Sequence, residues 1–280
     1  ATAYGLTAKN KDSFWCVFDF GGGTFDAALV KSEEGILSVK DTDGDNWLGG
    51  KNLDEAIVDQ IIIPNLQANY AIDSILEDST KKEILRNAVK PYAEEIKIEM
   101  SFKDKVNYIS PLGSLPFEDE NGEWIEFDLT ITREEFENLA KPFIERSIEL
   151  IEILLKEVGY DISMIDNILL VGGTSCIPLI KQMLSEKYGS DKIKVSEKPM
   201  LAIAEGAGIL SHRLGDEYEP PVDGEIAVAE ISYSTNHNYF IELKDGYDKI
   251  IEKQMPLPCN VTRNYKTNFT NKFKRCFNSF

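Results

Sequence analysis

At 280 residues, 42% of them hydrophobic and 28% charged, the chain has room for one or two domains with a core of their own. The apolar run Ile61-Ile62-Ile63 is cut by Pro64, and no run reaches the ~20 residues of a membrane span. A formal net charge of −18 argues against nucleic acid as a general partner, and cysteines 16, 176, 259 and 276 lack CxxC spacing and partner histidines, which argues against zinc.

In chain order, Phe14-Trp15-Cys16-Val17-Phe18 reads as a buried strand, with Cys16 an inert core thiol. Residues 25–30 read as the strand that returns beside it. Between and around them lies Asp19-Phe20-Gly21-Gly22-Gly23-Thr24-Phe25-Asp26. Glycines let the backbone turn sharply and bring N–H groups close to an anion. Carboxylates beside such amides suit an anion that carries a divalent metal, because Mg²⁺ takes oxygen ligands and bridges phosphates. A glycine-rich hairpin with solvated acids is the alternative reading of the octapeptide.

Residues 51–102 read as helical, with one apolar stripe through Leu53, Ile57 and Ile61 and another through Ile84 and Ala88. Within 93–101, Ile96 and Met100 form an apolar side, and Glu94, Lys97 and Ser101 fall on a second face. Residues 104–131 hold short strands and an Asn121-Gly122 hairpin turn. Thr132, with Glu135 three residues on, is a capping box for a long helix. Its apolar side includes Phe136, Leu139, Phe143, Ile148, Ile151 and Leu155; Pro142 predicts a kink and Gly159 an end.

Residues 168–171 form the next strand. Gly172-Gly173-Thr174-Ser175 follows, and then a helix from about Pro178. Strand, glycines and a helix N-terminus present amides and a positive dipole end to a phosphate. Residues 213–229 cluster prolines, glycines and acids as a linker. From 248 to 280, seven Lys or Arg against Asp248 and Glu252 give +5. With Tyr265, Phe269, Phe273 and Phe277 interleaved, this end reads as an RNA-binding patch or, preferably, as an exposed strand pair of a small β module.

Several of these segments, in this order, resemble the nucleotide-binding domain of the 70-kDa heat-shock (DnaK-type) chaperones, a branch of the actin-like ATPase superfamily. The resemblance runs through Ala3-Tyr4-Gly5-Leu6, the Asp19 hairpin and residues 43–50. It continues through 93–101, 129–136, 171–174 and 199–210. It implies an α/β fold: an actin-like ATPase (ribonuclease H-like) lobe over 1–212, with an inserted, mobile α+β subdomain at 51–133. A linker at 213–229 and the start of a peptide-binding β-sandwich at 230–280 complete the expected order. It also implies an internal piece of a longer protein, whose preceding lobe would supply a second phosphate hairpin, a lysine and a catalytic glutamate.

What the resemblance implies for individual residues is specific. Asp19, Thr24 and Asp26 are the expected catalytic set, with Asp19 also ordering hydrated Mg²⁺. Gly21, Gly22, Gly23 and Thr24 face the β- and γ-phosphates of ATP or ADP. Glu94, Lys97 and Ser101 hold ribose and adenine, and Gly172, Gly173 and Thr174 lie on the α-phosphate side. Ile98 and Cys176 stand where many members place two arginines that stack on adenine, and Met200 where an acid is common. Stacked cations strengthen base binding, so weaker or less base-selective nucleotide binding is expected. The implied function is Mg-dependent ATP hydrolysis coupled to binding of unfolded polypeptide clients. Cochaperones are implied as partners, with no nucleic acid or membrane, in the cytoplasm. The linker residues Ile226-Ala227-Val228-Ala229 are short and weakly apolar, which puts the usual interdomain coupling in question. One alternative is a chaperone-like regulator that binds nucleotide without turnover. A sugar kinase of the same superfamily is another, disfavoured by residues 93–101 and by the β module.

Overall fold

The computed structural model describes residues 13–33, 36–214, 230–232, 238–243, 246–252, 255, 260–262 and 276–278. Residues 3–6, nearly all of the expected linker and most of the basic end lie outside them.

β1 (Ser13–Phe20), β2 (Phe25–Glu33) and β3 (Ile36–Asp45) form an antiparallel meander. α1 (Gly50–Ile57), a π turn (Val58–Ile62) and α2 (Ile63–Asn69) run on as one helical segment, with Pro64 tolerated in the first turn of α2. α3 (Asp73–Glu77) and α4 (Ser79–Met100) follow, then the antiparallel pair β4 (Lys105–Ile109) and β5 (Asp128–Thr132). α5 (Arg133–Glu157) leads to β6 (Asn167–Val171), α6 (Pro178–Tyr188), β7 (Ile193–Val195) and α7 (Ala202–Leu214).

The main sheet has the order β7-β6-β1-β2-β3-β8, where β8 is Glu230–Ser232. β6 lies parallel to β1, and β7 parallel to β6. β8 pairs in parallel with β3, so residues 230–232 belong to this sheet, although a separate sandwich was expected from residue 230. α7 likewise runs two residues past the expected boundary at 212. Beyond it, β9 (Tyr239–Leu243) and β10 (Gly246–Ile251) form a two-stranded ribbon, as do β11 (Asn260–Thr262) and β12 (Cys276–Asn278). Both ribbons fall within the span 230–280 expected for the start of a sandwich.

Both faces of the sheet are covered, as strands with near-continuous apolar runs require. Phe14, Cys16, Phe18 and Phe20 project into the larger core with the buried stripe of α5. Val17, Val30, Leu169 and Val171 form a smaller cluster on the other face, against Ala202 and Ile209 of α7. Phe18, Phe20 and Phe25 meet with ring centroids 4.8–6.1 Å apart directly beneath the first glycine turn. Such edge-on aromatic contacts fix where the turn begins. Cys16 is fully buried, and burial pushes its thiol up to about 12, so it is inert as expected.

Two local expectations change. The buried stripe of α4 is Leu85, Val89, Ala93, Ile96 and Met100, while Ile84 is 46% exposed. Stepping back from Met100 and Ile96 by threes and fours reaches this row, and the Ile84–Ala88 pair lies one residue off it. The Asn121-Gly122 turn is real, with Gly122 at φ +81, but it joins a single bridge, Glu118 to Trp124, not two strands. The carboxylate of Asp119 holds it together by accepting the N–H groups of Asn121 and Glu123. The capping box at Thr132 and Glu135 is present as read, and Pro142 sits inside α5 without ending it.

Candidate nucleotide site

Parallel β1 and β6 end side by side, with Asp19 opposite Val171. Their exit turns, residues 21–24 and 172–176, therefore meet at one edge of the sheet, the place where open α/β sheets bind ligands. The first turn is closed by the Gly21 N–H, which donates to the Thr24 carbonyl at 3.0 Å. The Gly21 carbonyl accepts from Gly50 N–H at 3.0 Å and from the Thr174 hydroxyl at 2.8 Å. The Gly22 carbonyl accepts from Lys51 N–H at 2.8 Å. The start of α1 and the second turn thus pin the hairpin from both sides.

Close backbone approach explains the glycines. A Cβ on Gly49 would lie 2.5 Å from Gly23 backbone atoms, and one on Gly50 would lie 2.7 Å from Thr174 Oγ1. Gly172 has φ +86, and its Cβ would lie 2.4 Å from the Phe20 carbonyl and 2.6 Å from Asp19 Oδ1. Gly22 and Gly23 differ: nothing lies within 4 Å of a Cβ on either, and among the described residues their N–H groups have no protein partner. These two are free amides of the turn.

This separates the expected ligand contacts. Gly22 and Gly23 keep available donors. Gly21 and Gly172 do not: the Gly21 N–H closes its own turn, and the Gly172 N–H donates to the Pro199 carbonyl at 3.0 Å. Both N–H groups are thus engaged within the chain. Thr174 is 6% exposed and spends its hydroxyl on Gly21. The second glycine turn also does not open a helix directly; a 3-10 turn, Thr174–Cys176, intervenes before α6.

Asp19, Thr24 and Asp26 gather on the hairpin. Asp19 and Asp26 are paired across the ladder, and the Thr24 hydroxyl donates to Asp26 Oδ2 at 3.2 Å. The Asp19 carboxyl is raised above its ordinary value, first by burial and then by the neighbouring charge of Asp26. Among the described residues no basic side chain pairs with either acid. Two opposed carboxylates with open backbone amides beside them fit a divalent cation, which would supply the missing positive charge.

On the other side of Gly22 opens a cavity of about 290 Å³. Gly22, Glu94, Lys97, Ser101, Gly173 and Thr174 line it together, although they come from three separate stretches of chain. The residues flagged as departures, Ile98, Cys176 and Met200, line it as well. Phe102 and Ile177 do so too and were not anticipated.

Lys97 is not the solvated lysine of an ordinary helix face. Its Nζ lies 2.7 Å from Asp54 Oδ1 of α1, in ion-pair contact without good hydrogen-bond alignment, and donates to the Gly50 carbonyl at 3.3 Å. Both side chains are nearly buried, at 12% and 5% exposure. Burial raises the Asp54 carboxyl, and Lys97 opposes that shift. Lys97 therefore ties the cavity wall to the glycine clamp. Asp54 was missed because nothing local in the sequence marks it, although the resemblance extends through residues 43–50 just ahead of it.

Sheet order and paired exit turns define a mixed α/β lobe with two glycine turns and open amides at one sheet edge. The chain belongs to the Hsp70 family: the model described as "Hsp70 protein" matches residues 1–273. That family has the actin-like ATPase fold. The chain is similar to "Chaperone protein DnaK 3" of Synechococcus sp., at 32% identity over 95% of this chain and 39% of that protein. It is also similar to "Chaperone protein DnaK" of Thermosipho africanus and of Thermosipho melanesiensis, at 30% and 31% identity over 95% of this chain and 42% of each. The chain thus spans about two fifths of the length of the curated relatives it matches. Among the described residues, no helix is long and apolar enough to cross a membrane.

Proposed function

We propose that this chain is the ATP- and ADP-binding lobe of a DnaK-type chaperone, and that Mg²⁺ accompanies the nucleotide. One observation carries the reading. Gly22 of the first turn, Glu94 and Lys97 of α4 with Ser101 at its C-cap, and Gly173 and Thr174 of the second turn converge on a single cavity. The free N–H groups of Gly22 and Gly23 would take phosphate oxygens, Asp19 and Asp26 would hold the cation or its water, and Glu94 and Lys97 would meet the ribose. When bound, Mg²⁺ would supply positive charge that offsets the charge of the phosphates. Asp19 and Asp26 would position a water by accepting hydrogen bonds from it, with Thr24 fixing the Asp26 carboxylate. Phosphoryl transfer depends on positioning and charge stabilisation, and Lys97 is already held by Asp54. The lobe by itself is therefore expected to bind nucleotide and turn it over negligibly.

In the whole protein the proposed activity is ATP hydrolysis coupled to holding unfolded polypeptide, with cochaperones as partners, in the cytoplasm. The proposed domain division is a lobe to about 212, with 51–133 as its mobile subdomain, then a linker. The start of a β-sandwich would follow β8, at the β9–β10 ribbon. A regulator that binds nucleotide without turnover is the second reading, favoured by Ile98, Cys176 and Met200 at the cavity. Calorimetric titration with ADP, with and without Mg²⁺, tests the first step. One-to-one binding that weakens without Mg²⁺ and in Asp19→Asn is expected; a folded chain that binds no ADP refutes it. Steady-state turnover of the whole protein separates the two readings.

A further inference from the structure

The cavity wall is chemically lopsided. Ile98 and Phe102 at the end of α4 are 51% and 76% exposed, and Met200, about a hundred residues later, is 74% exposed. All three border the same opening, with Cys176 beside them. The Met200 side chain reaches across the second turn: its Cγ would lie 3.6 Å from a Cβ on Gly173. Large apolar side chains left in water around one cavity mark a place where an apolar or planar group is expected.

Several donors of the cavity's polar side chains are already engaged within the protein. Lys97 is held by Asp54 and the Gly50 carbonyl. The Ser101 hydroxyl donates to the Lys97 carbonyl of its own helix at 3.2 Å. The Thr174 hydroxyl donates to Gly21. Glu94 remains, the one side chain of the cavity that carries a carboxyl. Adenine and guanine share shape and stacking surface; they differ in the donors and acceptors at one edge of the ring. Sites that hydrogen-bond a distinguishing group discriminate by ~10⁴-fold or more, whereas apolar walls give far less.

We propose that the site takes purine nucleotides without reading the base. Ile98, Phe102, Met200 and Cys176 would hold the ring by contact and by sulfur–aromatic attraction, and selectivity would reside in the sugar and phosphates. The inference rests on the nucleotide reading above. Titration of the chain with Mg-ADP and Mg-GDP, and of Phe102→Ser/Met200→Ser with both, tests it. The two variant positions are exposed, so the fold should be kept, and circular dichroism checks that. Dissociation constants for ADP and GDP that agree within about threefold are expected, far below the ratio of a hydrogen-bonded base site. The double variant should weaken both nucleotides together by about fivefold, or ~1 kcal/mol. A preference of tenfold or more for either base, or a variant that binds both as well as wild type, overturns the inference while the nucleotide reading stands. A folded chain that binds neither nucleotide overturns both.

Discussion

At the two exit turns, function is set by how closely backbones approach: a Cβ on Gly172 would collide with the Phe20 carbonyl, and one on Gly49 with Gly23. A few ångströms away, the cavity beside Gly22 is walled by side chains, and Ile98, Phe102 and Met200 are each more than half exposed. At Gly49, Gly50 and Gly172 the first region has no room for a side chain, because another part of the chain occupies each missing Cβ, whereas Gly22 and Gly23 stand open. The second can exchange arginine-sized for apolar side chains without disturbing the fold, because its residues contact solvent. Within one cleft, the anion cradle is therefore constrained by packing, and the wall beside it is free to diverge.

The sharpest way to break this comparison is at glycines within the same pair of turns. Gly172→Ala places a side chain at φ +86 and against both Phe20 and Asp19. It should cost about 3 kcal/mol or more, since strained backbone and steric overlap add. Gly23→Ala meets nothing within 4 Å. It should change stability by less than about 0.5 kcal/mol. Denaturant titration of the two variants reads the difference directly. Equal losses would mean that the turns are not packed as described.

The next effect lies at the join between the two regions. Asp54→Ala leaves Lys97 nearly buried without its partner and should cost about 2–3 kcal/mol, toward the low end for a broken buried pair. Asp54→Leu with Lys97→Met should recover most of that, to within about 1 kcal/mol of wild type, because an apolar pair needs no desolvation. The same double variant should lose ADP affinity. Recovered stability with unchanged binding would show that Lys97 serves the fold alone.

The contrast also explains what the sequence disclosed. Glycine turns after apolar strands are local patterns, so the hairpin at 19–26, the turn at 172–175 and the capping box at Thr132 were all legible. Resemblance assigned Glu94, Lys97 and Ser101 to ribose and adenine and Gly22 and Gly173 to the phosphates, and these five residues line one cavity. The work of each glycine was not legible. Gly21 and Gly172 look like Gly22 and Gly23 in sequence, yet their N–H groups are consumed by Thr24 and Pro199 carbonyls, one of them across a long stretch of chain. Asp54 was invisible for the same reason: its partner is Lys97, on a helix that only the tertiary fold brings near. The edge pairing of β8 with β3 is likewise a non-local choice that three residues cannot signal.

The smallest expected effect concerns Asp19, where the cradle itself bears a cost. Its carboxyl is raised above the ordinary 3.8, by burial first and by Asp26 second. A carboxyl raised in the folded state contributes stability below its unfolded value, and that contribution is lost as pH rises through the folded value. At neutral pH, the ionised Asp19 therefore works against the fold. Asp19→Asn in metal-free buffer should stabilise the chain at pH 7 by about 0.5 kcal/mol, a figure kept low because the residue is only part-buried. The advantage should shrink as pH falls toward 4, where wild-type Asp19 is increasingly protonated and the variant no longer removes a charge. With Mg-ADP the order should invert, since ligand binding stabilises the state that binds it and wild type keeps the carboxylate. Thermal unfolding across pH, with and without Mg-ADP, reads all three. A variant that melts below wild type at pH 7 without metal would mean that the Asp19 charge is satisfied within the protein, and that the opposed pair with Asp26 needs no cation.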